Sequence, residues 1–360
     1  MRRVNLTHSL YKPNFLFREN VIRTKKHLVQ RFKKRQTNNE LTNTRNLKGI
    51  IIKSKGKWYT VRNEDSEEVP CRIRGKLRLD ELKLTNPIAV GDEVTIEKEA
   101  GQDTAVITSV LPRRNYVVRQ SPRKKHYLHM LCANIDQAIV IATIREPMLK
   151  PGFIDRFLMT TTPHDIPTII LVNKMDLWQD DDEQIFGGLK MIYEPLGYTV
   201  MAVSALHNQG LEELRDLLKD KTTFICGHSG VGKSTLANAV QPGLELATQE
   251  ISDYSGKGQH TTTFAEMFAL KFGGQIIDTP GIKELAFINM EPHDVAHNFV
   301  EFFEALQNCK FSNCLHINEP KCAVKAAVEI GEISSLRYEN YLSIMEDILN
   351  QNHWERKMDW

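Results

Sequence analysis

No apolar run approaches the roughly 20 residues that a membrane-spanning helix requires, so no membrane segment is expected. The start of the chain is basic but lacks an uninterrupted apolar stretch followed by a small-residue cleavage site, which argues against a secretory leader and for the cytoplasm. There is no Cys-x-x-Cys pair. Of six cysteines, Cys309, Cys314 and Cys322 crowd into fourteen residues, while Cys71, Cys132 and Cys226 lie scattered in strand-like sequence. In a cytoplasmic chain such a cluster suggests metal before disulfide. Acids are scarce at one end: from Met1 to Lys48 thirteen Lys or Arg face two acids, so a segment of net +11 precedes a remainder of −9 in a chain whose total is +2. A basic arm gains affinity for phosphate backbones by counterion release while an acidic body resists non-specific adhesion. A solvated tail without a partner is the plainer alternative.

At 360 residues the chain is long enough for two or three domains with cores. Residues 1–47 show no sustained period and read as a flexible basic arm. Over 48–112, short β-prone segments at 49–54, 57–62, 69–73, 92–97 and 105–111 alternate with turn signals such as Lys55-Gly56 and Val90-Gly91-Asp92, the pattern of a small OB-type barrel. Trp58, Tyr59, Arg72, Arg74, Lys76 and Arg78 offer aromatic and cationic groups for an oligonucleotide face, although any small barrel has surface cations. Residues 113–131 carry Arg113, Arg114, Arg119, Arg123, Lys124 and Lys125 with no acid and read as a basic connector, either a solvated linker or positive charge that faces nucleic acid on the barrel's second side.

Residues 132–290 read as an α/β domain organised around one stretch. Apolar Thr222–Cys226 leads into Gly227-His228-Ser229-Gly230-Val231-Gly232-Lys233-Ser234-Thr235, and Leu236, Ala237 and Val240 continue as a helix. Strand, glycine-rich loop and helix start are what a triphosphate demands: converging backbone N–H groups, an ammonium (Lys233) at the β/γ oxygens, and a hydroxyl (Ser234) on Mg²⁺. Upstream, the apolar run Thr168–Val172 ends in Asn173-Lys174-Met175-Asp176, and Tyr198–Val203 ends in Ser204-Ala205. A carboxylate at Asp176 accepts from the N1–H and 2-amino group of guanine, which adenine does not offer, and such paired recognition discriminates by about 10⁴ to 10⁵. Asn173 and Lys174 would brace base and phosphate loop, and Ala205 would offer its N–H to the guanine oxygen. Downstream, Asp278-Thr279-Pro280-Gly281 closes a strand with a Mg²⁺-organising carboxylate and a γ-phosphate N–H at Gly281. Between them lies Gly258-Gln259-His260-Thr261-Thr262-Thr263, a switch loop in which Thr262 is the expected Mg²⁺ ligand, with Thr261 next.

The order of these parts is rotated. In an ordinary GTPase the phosphate loop comes first, whereas here the base-reading elements precede it by about fifty residues, and the helix 211–218 runs almost directly into Thr222. The α/β domain is therefore read as a circularly permuted P-loop GTPase. No lid-like arginine cluster follows the loop, which disfavours a kinase.

Residues 291–360 read as a helical module, with Asp294 capping a helix striped by Val295, Phe299, Phe302, Phe303 and Leu306, and a final helix at 336–349. Cys309, Cys314, His316 and Cys322 suit a closed tetrahedral Zn²⁺ site, with buried thiols as the alternative.

From about Gly49 to Leu349 these motifs together resemble the ribosome small-subunit-dependent GTPase A family of bacterial circularly permuted GTPases. The resemblance rests on the barrel, the base-reading motif ahead of Gly-His-Ser-Gly-Val-Gly-Lys-Ser-Thr, His-Thr-Thr-Thr, and the Cys, Cys, His, Cys spacing. It implies a cytoplasmic, monomeric factor that acts late in small-subunit maturation, binds the decoding region and its rRNA, hydrolyses GTP to GDP when docked, and leaves. It also implies that Cys309, Cys314, His316 and Cys322 hold one structural zinc. Residue 282, where many GTPases place a water-orienting glutamine, is isoleucine. His260 is the polar candidate to replace it, and similar family members are thought to use the corresponding histidine; a loop histidine facing rRNA or solvent is the alternative. The 47-residue arm is longer than the family's usual lead. A second functional class stays open, an RNA-binding assembly chaperone in which nucleotide only sets conformation.

Overall fold

The computed structural model describes residues 46–74, 84–99, 101–120, 127–244, 265–278 and 290–356. The first strands are β1 (Asn46–Lys55), β2 (Trp58–Asn63), β3 (Glu68–Ile73), β4 (Glu93–Lys98) and β5 (Ala105–Val110). β1 is long enough to pair antiparallel with β2 on one side and β4 on the other. β2 pairs with β3, β3 runs parallel to β5, and β5 returns to β4, so the five strands close into an OB-like barrel. Strand alternation buries Val61, Val69, Cys71, Val94, Ile96 and Ile107. A register shift between Ile51 and Lys53 lets two successive isoleucines, Ile51 and Ile52, both be buried, which a regular strand on a half-solvated sheet disfavours.

The same alternation corrects the expected barrel face. Tyr59 is only 4% exposed, whereas its neighbour Trp58 is 48% exposed. Arg72 and Arg74 pair with Glu99 and Glu97 at 2.6 and 2.9 Å. Lys76 and Arg78 lie outside the described residues.

Residues 113–131 form more than a connector. β6 (Tyr116–Gln120) and β7 (Leu128–Ala133) pair as an antiparallel hairpin. At its base Arg113 places Nε and Nη2 on the two oxygens of Asp92 at 2.6 and 2.7 Å, and Arg114 reaches the Asn134 carbonyl and Asp136, both at 2.9 Å. Asp92 is fully buried, and a buried carboxylate needs a cation. Two of the cations expected to face nucleic acid therefore lock the hairpin to the barrel and to the next domain.

That domain contains β8 (Gln137–Thr143), α1 (Pro151–Thr161), β9 (Thr168–Asn173), α2 (Asp182–Tyr193), β10 (Thr199–Ala202), α3 (Leu211–Leu218), β11 (Thr222–Gly227), α4 (Lys233–Val240), β12 (Glu266–Ala269) and β13 (Gln275–Asp278). The strand order β10-β9-β8-β11-β13 is parallel, with β12 added antiparallel. β8 and β9 are buried along their whole length, as their apolar middles demand, with the polar residues Gln137, Thr143, Thr168 and Asn173 buried at the strand ends. Residues 219–221 join α3 to β11, and Gln137 clasps this seam: its amide donates to the Leu217 carbonyl (2.8 Å) and Thr223 Oγ1 (2.9 Å) and accepts from Lys221 Nζ (3.1 Å). The permuted order thus places the phosphate-loop strand between β8 and β13. β12 also meets β1 at Glu266 and Lys53, whose side chains pair at 2.7 Å, so barrel and sheet are continuous.

The C-terminal helices are α5 (Pro292–Asn298), α6 (Val300–Leu306), α7 (Ala323–Glu329) and α8 (Ser335–Arg356). The single helix expected from Asp294 is two. Glu291, not Asp294, is the N-cap, and Asp294 sits in the first turn accepting from the Glu291 N–H at 2.8 Å. Asn298 donates its amide to the Asp294 carbonyl at 2.7 Å, a local competition that ends α5, and Phe299 takes extended backbone. Phe299, Phe302 and Tyr341 then pack with ring centroids 4.8 to 5.3 Å apart, in a core that Met159 of α1 also joins.

Candidate nucleotide site and metal centre

β11 delivers Gly227 to the centre of the sheet, where the backbone runs too close to β8 for a side chain: a Cβ there would lie 2.7 Å from the Ile141 carbonyl. The loop turns through Gly232, whose φ of +88° and 2.6 Å approach of Asn173 Nδ2 to a would-be Cβ leave room for glycine alone. Lys233 opens α4 and folds back, Nζ donating to the carbonyls of Gly227 (2.7 Å) and His228 (2.8 Å). Burial lowers its pKa, opposed by the proximity of Cys226 and Asp278. Ser234 follows in the first turn of α4, and Asp278 ends β13 in register with Ile225. Ser229 and Gly230 are exposed, and Val231 is buried.

The base-reading segment is bound to this loop by one side chain. Asn173, almost fully buried, donates Nδ2 to the Val231 carbonyl at 2.9 Å and accepts from the Ala205 N–H at 3.2 Å, so a single amide fixes three segments. Ser204 Oγ donates to Asp176 Oδ1 at 2.5 Å, orienting the carboxylate, and the Met175 N–H donates to the Val203 carbonyl at 3.1 Å. Lys174, in left-handed backbone, reaches the Glu146 carbonyl at 2.7 Å. Asn173 thus brings the segment 173–176 and the pair Ser204 and Ala205 against the loop 227–235. His260, Thr262 and Gly281 lie outside the described residues.

Sequence reading missed the third wall. The loop after β8, residues 144–150, carries Glu146 beside Lys174, is held by Thr143 Oγ1 on the Pro147 carbonyl (2.7 Å), and is clamped by Arg145 on buried Asp182 (2.5 Å). Phe153 of α1 lies against His228 with ring centroids 3.9 Å apart. The available signal was positional: ligands of open α/β sheets bind beyond the carboxyl ends of the strands, which is where this loop follows β8.

In the C-terminal module the ligand atoms of Cys309, Cys314, His316 and Cys322 all lie within 4.8 Å of one another, three of the residues buried. His316 turns Nδ1 to the sulfurs, 3.3 Å from Cys322 and 3.7 Å from Cys309. A tetrahedron with bonds of about 2.0 to 2.3 Å has edges of about 3.3 to 3.8 Å, so three soft sulfurs and one imidazole fit Zn²⁺. Burial, with the neighbouring sulfurs, pushes the Cys314 thiol up to about 12; a divalent cation is what brings such a set to the thiolate form. The knuckle is braced by Glu319, which accepts from the N–H groups of Leu315, Ile317 and Asn318, and by Tyr338 and Tyr341 on the carbonyls of His316 and Leu315.

Comparison with known proteins bears on the same residues. The RsgA N-terminal domain family matches residues 48–107 and the RsgA GTPase family residues 110–288. A small ribosomal subunit biogenesis GTPase RsgA of Flavobacterium psychrophilum is 47% identical over 302 residues, 83% of this chain and 92% of the relative. Its namesake in Bacteroides fragilis is 44% identical over 301 residues, 84% and 97%. Among solved structures, YjeQ from Thermotoga maritima superposes with a TM-score of 0.68 at 37% identity, covering 85% of this chain and 99% of that one. YloQ, described as a circularly permuted GTPase, gives 0.64 at 31% identity, covering 87% and 98%. With barrel, permuted sheet, phosphate loop and Cys₃His cluster in place, the chain belongs to the RsgA GTPase family.

Proposed function

We propose that this protein is a cytoplasmic GTPase that binds the small ribosomal subunit, assists its late maturation, hydrolyses GTP to GDP and phosphate while docked, and then dissociates. The observation that carries this reading is the Asn173 amide, which joins the guanine-reading segment to the phosphate loop through Val231 and Ala205. Asp176, oriented by Ser204, reads the guanine N1–H and 2-amino group, while Ala205 shares its N–H with the guanine oxygen. Residues 227–235 cradle the phosphates, and Lys233 moves from the loop carbonyls to the β/γ oxygens. Ser234, Asp278 and Thr262 would hold Mg²⁺, which supplies charge neutralisation at those oxygens. Gly281 offers an N–H to the γ-phosphate, and His260 takes the water-guiding place that Ile282 cannot fill. Cys309, Cys314, His316 and Cys322 hold one structural zinc. The domains divide as arm 1–45, barrel 46–112, hairpin 113–133, GTPase 134–290 and zinc module 291–360, the expected limits at 47 and 131 moving by two residues each because β1 starts at Asn46 and β7 runs to Ala133, and the protein acts as a monomer. Trp58, Arg123, Lys124 and Lys125, and separately the arm, are the groups that meet rRNA, by stacking and charge, whereas Arg119 has its Nε buried.

Multiple-turnover hydrolysis with and without small subunits tests the reading. Partner-ordered GTPase sites gain about 10³ to 10⁵ in rate; stimulation toward that range is expected, and His260→Ala should remove most of it while GTP affinity stays. An unstimulated rate would leave nucleotide as a conformational ligand of an RNA-binding chaperone.

A further inference from the structure

Helix α1 lies between the phosphate loop and the zinc module. On one side Phe153 packs on His228, whose carbonyl also accepts from Lys233. Two residues on, about 200° around the helix axis, Asp155 is 1% exposed and meets α8. Its Oδ1 accepts from Arg337 Nη1 (2.5 Å) and the Tyr193 hydroxyl (2.9 Å), and its Oδ2 from Asn340 Nδ2 (2.6 Å). Arg337, 2% exposed, sets Nε and Nη2 on the two oxygens of Glu301 at 2.7 and 2.8 Å and lies over Phe299, 4.3 Å from the ring centroid. Arg156 adds a 2.5 Å contact to Asp347 of the same helix.

Buried ion clusters are a poor source of stability, since apolar residues of the same volume often hold two elements together as well. What this cluster supplies is geometry. The planar guanidinium fork admits one arrangement of two carboxylates, and the three donors on Asp155 come from two helices, Arg337 and Asn340 from α8 and Tyr193 from α2, which keeps α1 from sliding against either. An α-helix transmits a displacement across two residues with little give.

We propose that Arg337 of the zinc module is a positioning residue for the phosphate loop, setting the place of Phe153 against His228 through Asp155 and the first turn of α1. The proposal rests on the reading of residues 227–235 as the triphosphate site. It gives the zinc module a route to the nucleotide through packed side chains, so that a partner seated on that module changes GTP affinity without touching the loop.

The test uses the full chain with Arg337→Lys, which keeps the charge and loses the fork, and Asn340→Ala, which keeps the ion pair and removes one donor to Asp155. Zinc content, the NMR resonance of the His228 Cε1 proton, which the Phe153 ring current shifts, and GTP affinity are measured together. Zinc stays at one per chain, the His228 resonance moves, and GTP binding weakens by about 2- to 30-fold, the span by which substitutions between two coupled sites alter the coupling without touching either ligand. Phe153→Leu reproduces the weakening, and Asn340→Ala adds nothing further in that background. An unmoved His228 resonance with unchanged affinity in a zinc-loaded Asn340→Ala protein, or full additivity with Phe153→Leu, overturns the proposal. Failure of the unaltered chain to bind GTP would instead defeat the reading of the site, and the coupling with it.

Discussion

Asp176→Asn separates recognition of the base from integrity of the fold. Ser204 Oγ donates to Asp176 Oδ1 at 2.5 Å, so the amide oxygen of asparagine inherits that bond and its Nδ2 takes the place of Oδ2, the atom left for the base. Guanine would then face a donor with its own N1–H and 2-amino donors. Two charge-assisted hydrogen bonds disappear, each worth about 1.5 to 3 kcal/mol, and at about 1.4 kcal/mol per decade GTP affinity falls by about 10² to 10⁴. Xanthine carries an acceptor at position 2, so XTP gains what GTP forfeits. Competition binding with GTP, XTP and ATP measures the exchange, with thermal unfolding as a control that should move little. Preference for GTP over XTP retained in the folded variant would refute this account of Asp176. Adding Ser204→Ala should blur the new preference, because nothing then dictates which way the amide faces.

Elemental analysis of protein purified without chelator should find one zinc per chain; its removal should unfold residues 291–356, because structural zinc supplies on the order of 10 kcal/mol to a small module. Arg113→Met leaves Asp92 buried without its cation and should cost about 3 to 5 kcal/mol in denaturant unfolding, with the salt dependence of subunit binding unchanged in the folded protein; a stability change near zero with a flattened salt slope would return Arg113 to the RNA face. Deleting residues 1–45, which leaves β1 whole, should weaken subunit binding and lower the slope of log K against log salt by about 0.7 to 0.9 for each phosphate the arm neutralises, and an unchanged slope would make the arm a passive tail.

Much of this molecule is written in short-range pattern. The apolar runs of β8 and β9, the alternation of β2 to β5, and the glycine spacing from Gly227 to Gly232 each encode a local structure whose energetics depend on neighbours a few residues away. The motifs of the candidate site were legible for the same reason, since Asn173-Lys174-Met175-Asp176 and Gly227 to Thr235 are contiguous, and a permuted order of contiguous motifs can be read along the chain. The pairings between distant segments were not. Arg113 reads as a free cation until Asp92 is found beneath it, Tyr59 and Trp58 read alike until the barrel's pleat sends one inward, and nothing near Asp155 announces Arg337 on α8. Burial and charge pairing are properties of surfaces brought together by the fold. The identity of the residue that neutralises a buried carboxylate is therefore settled by tertiary packing, where desolvation makes the partner obligatory, and not by any pattern along the chain.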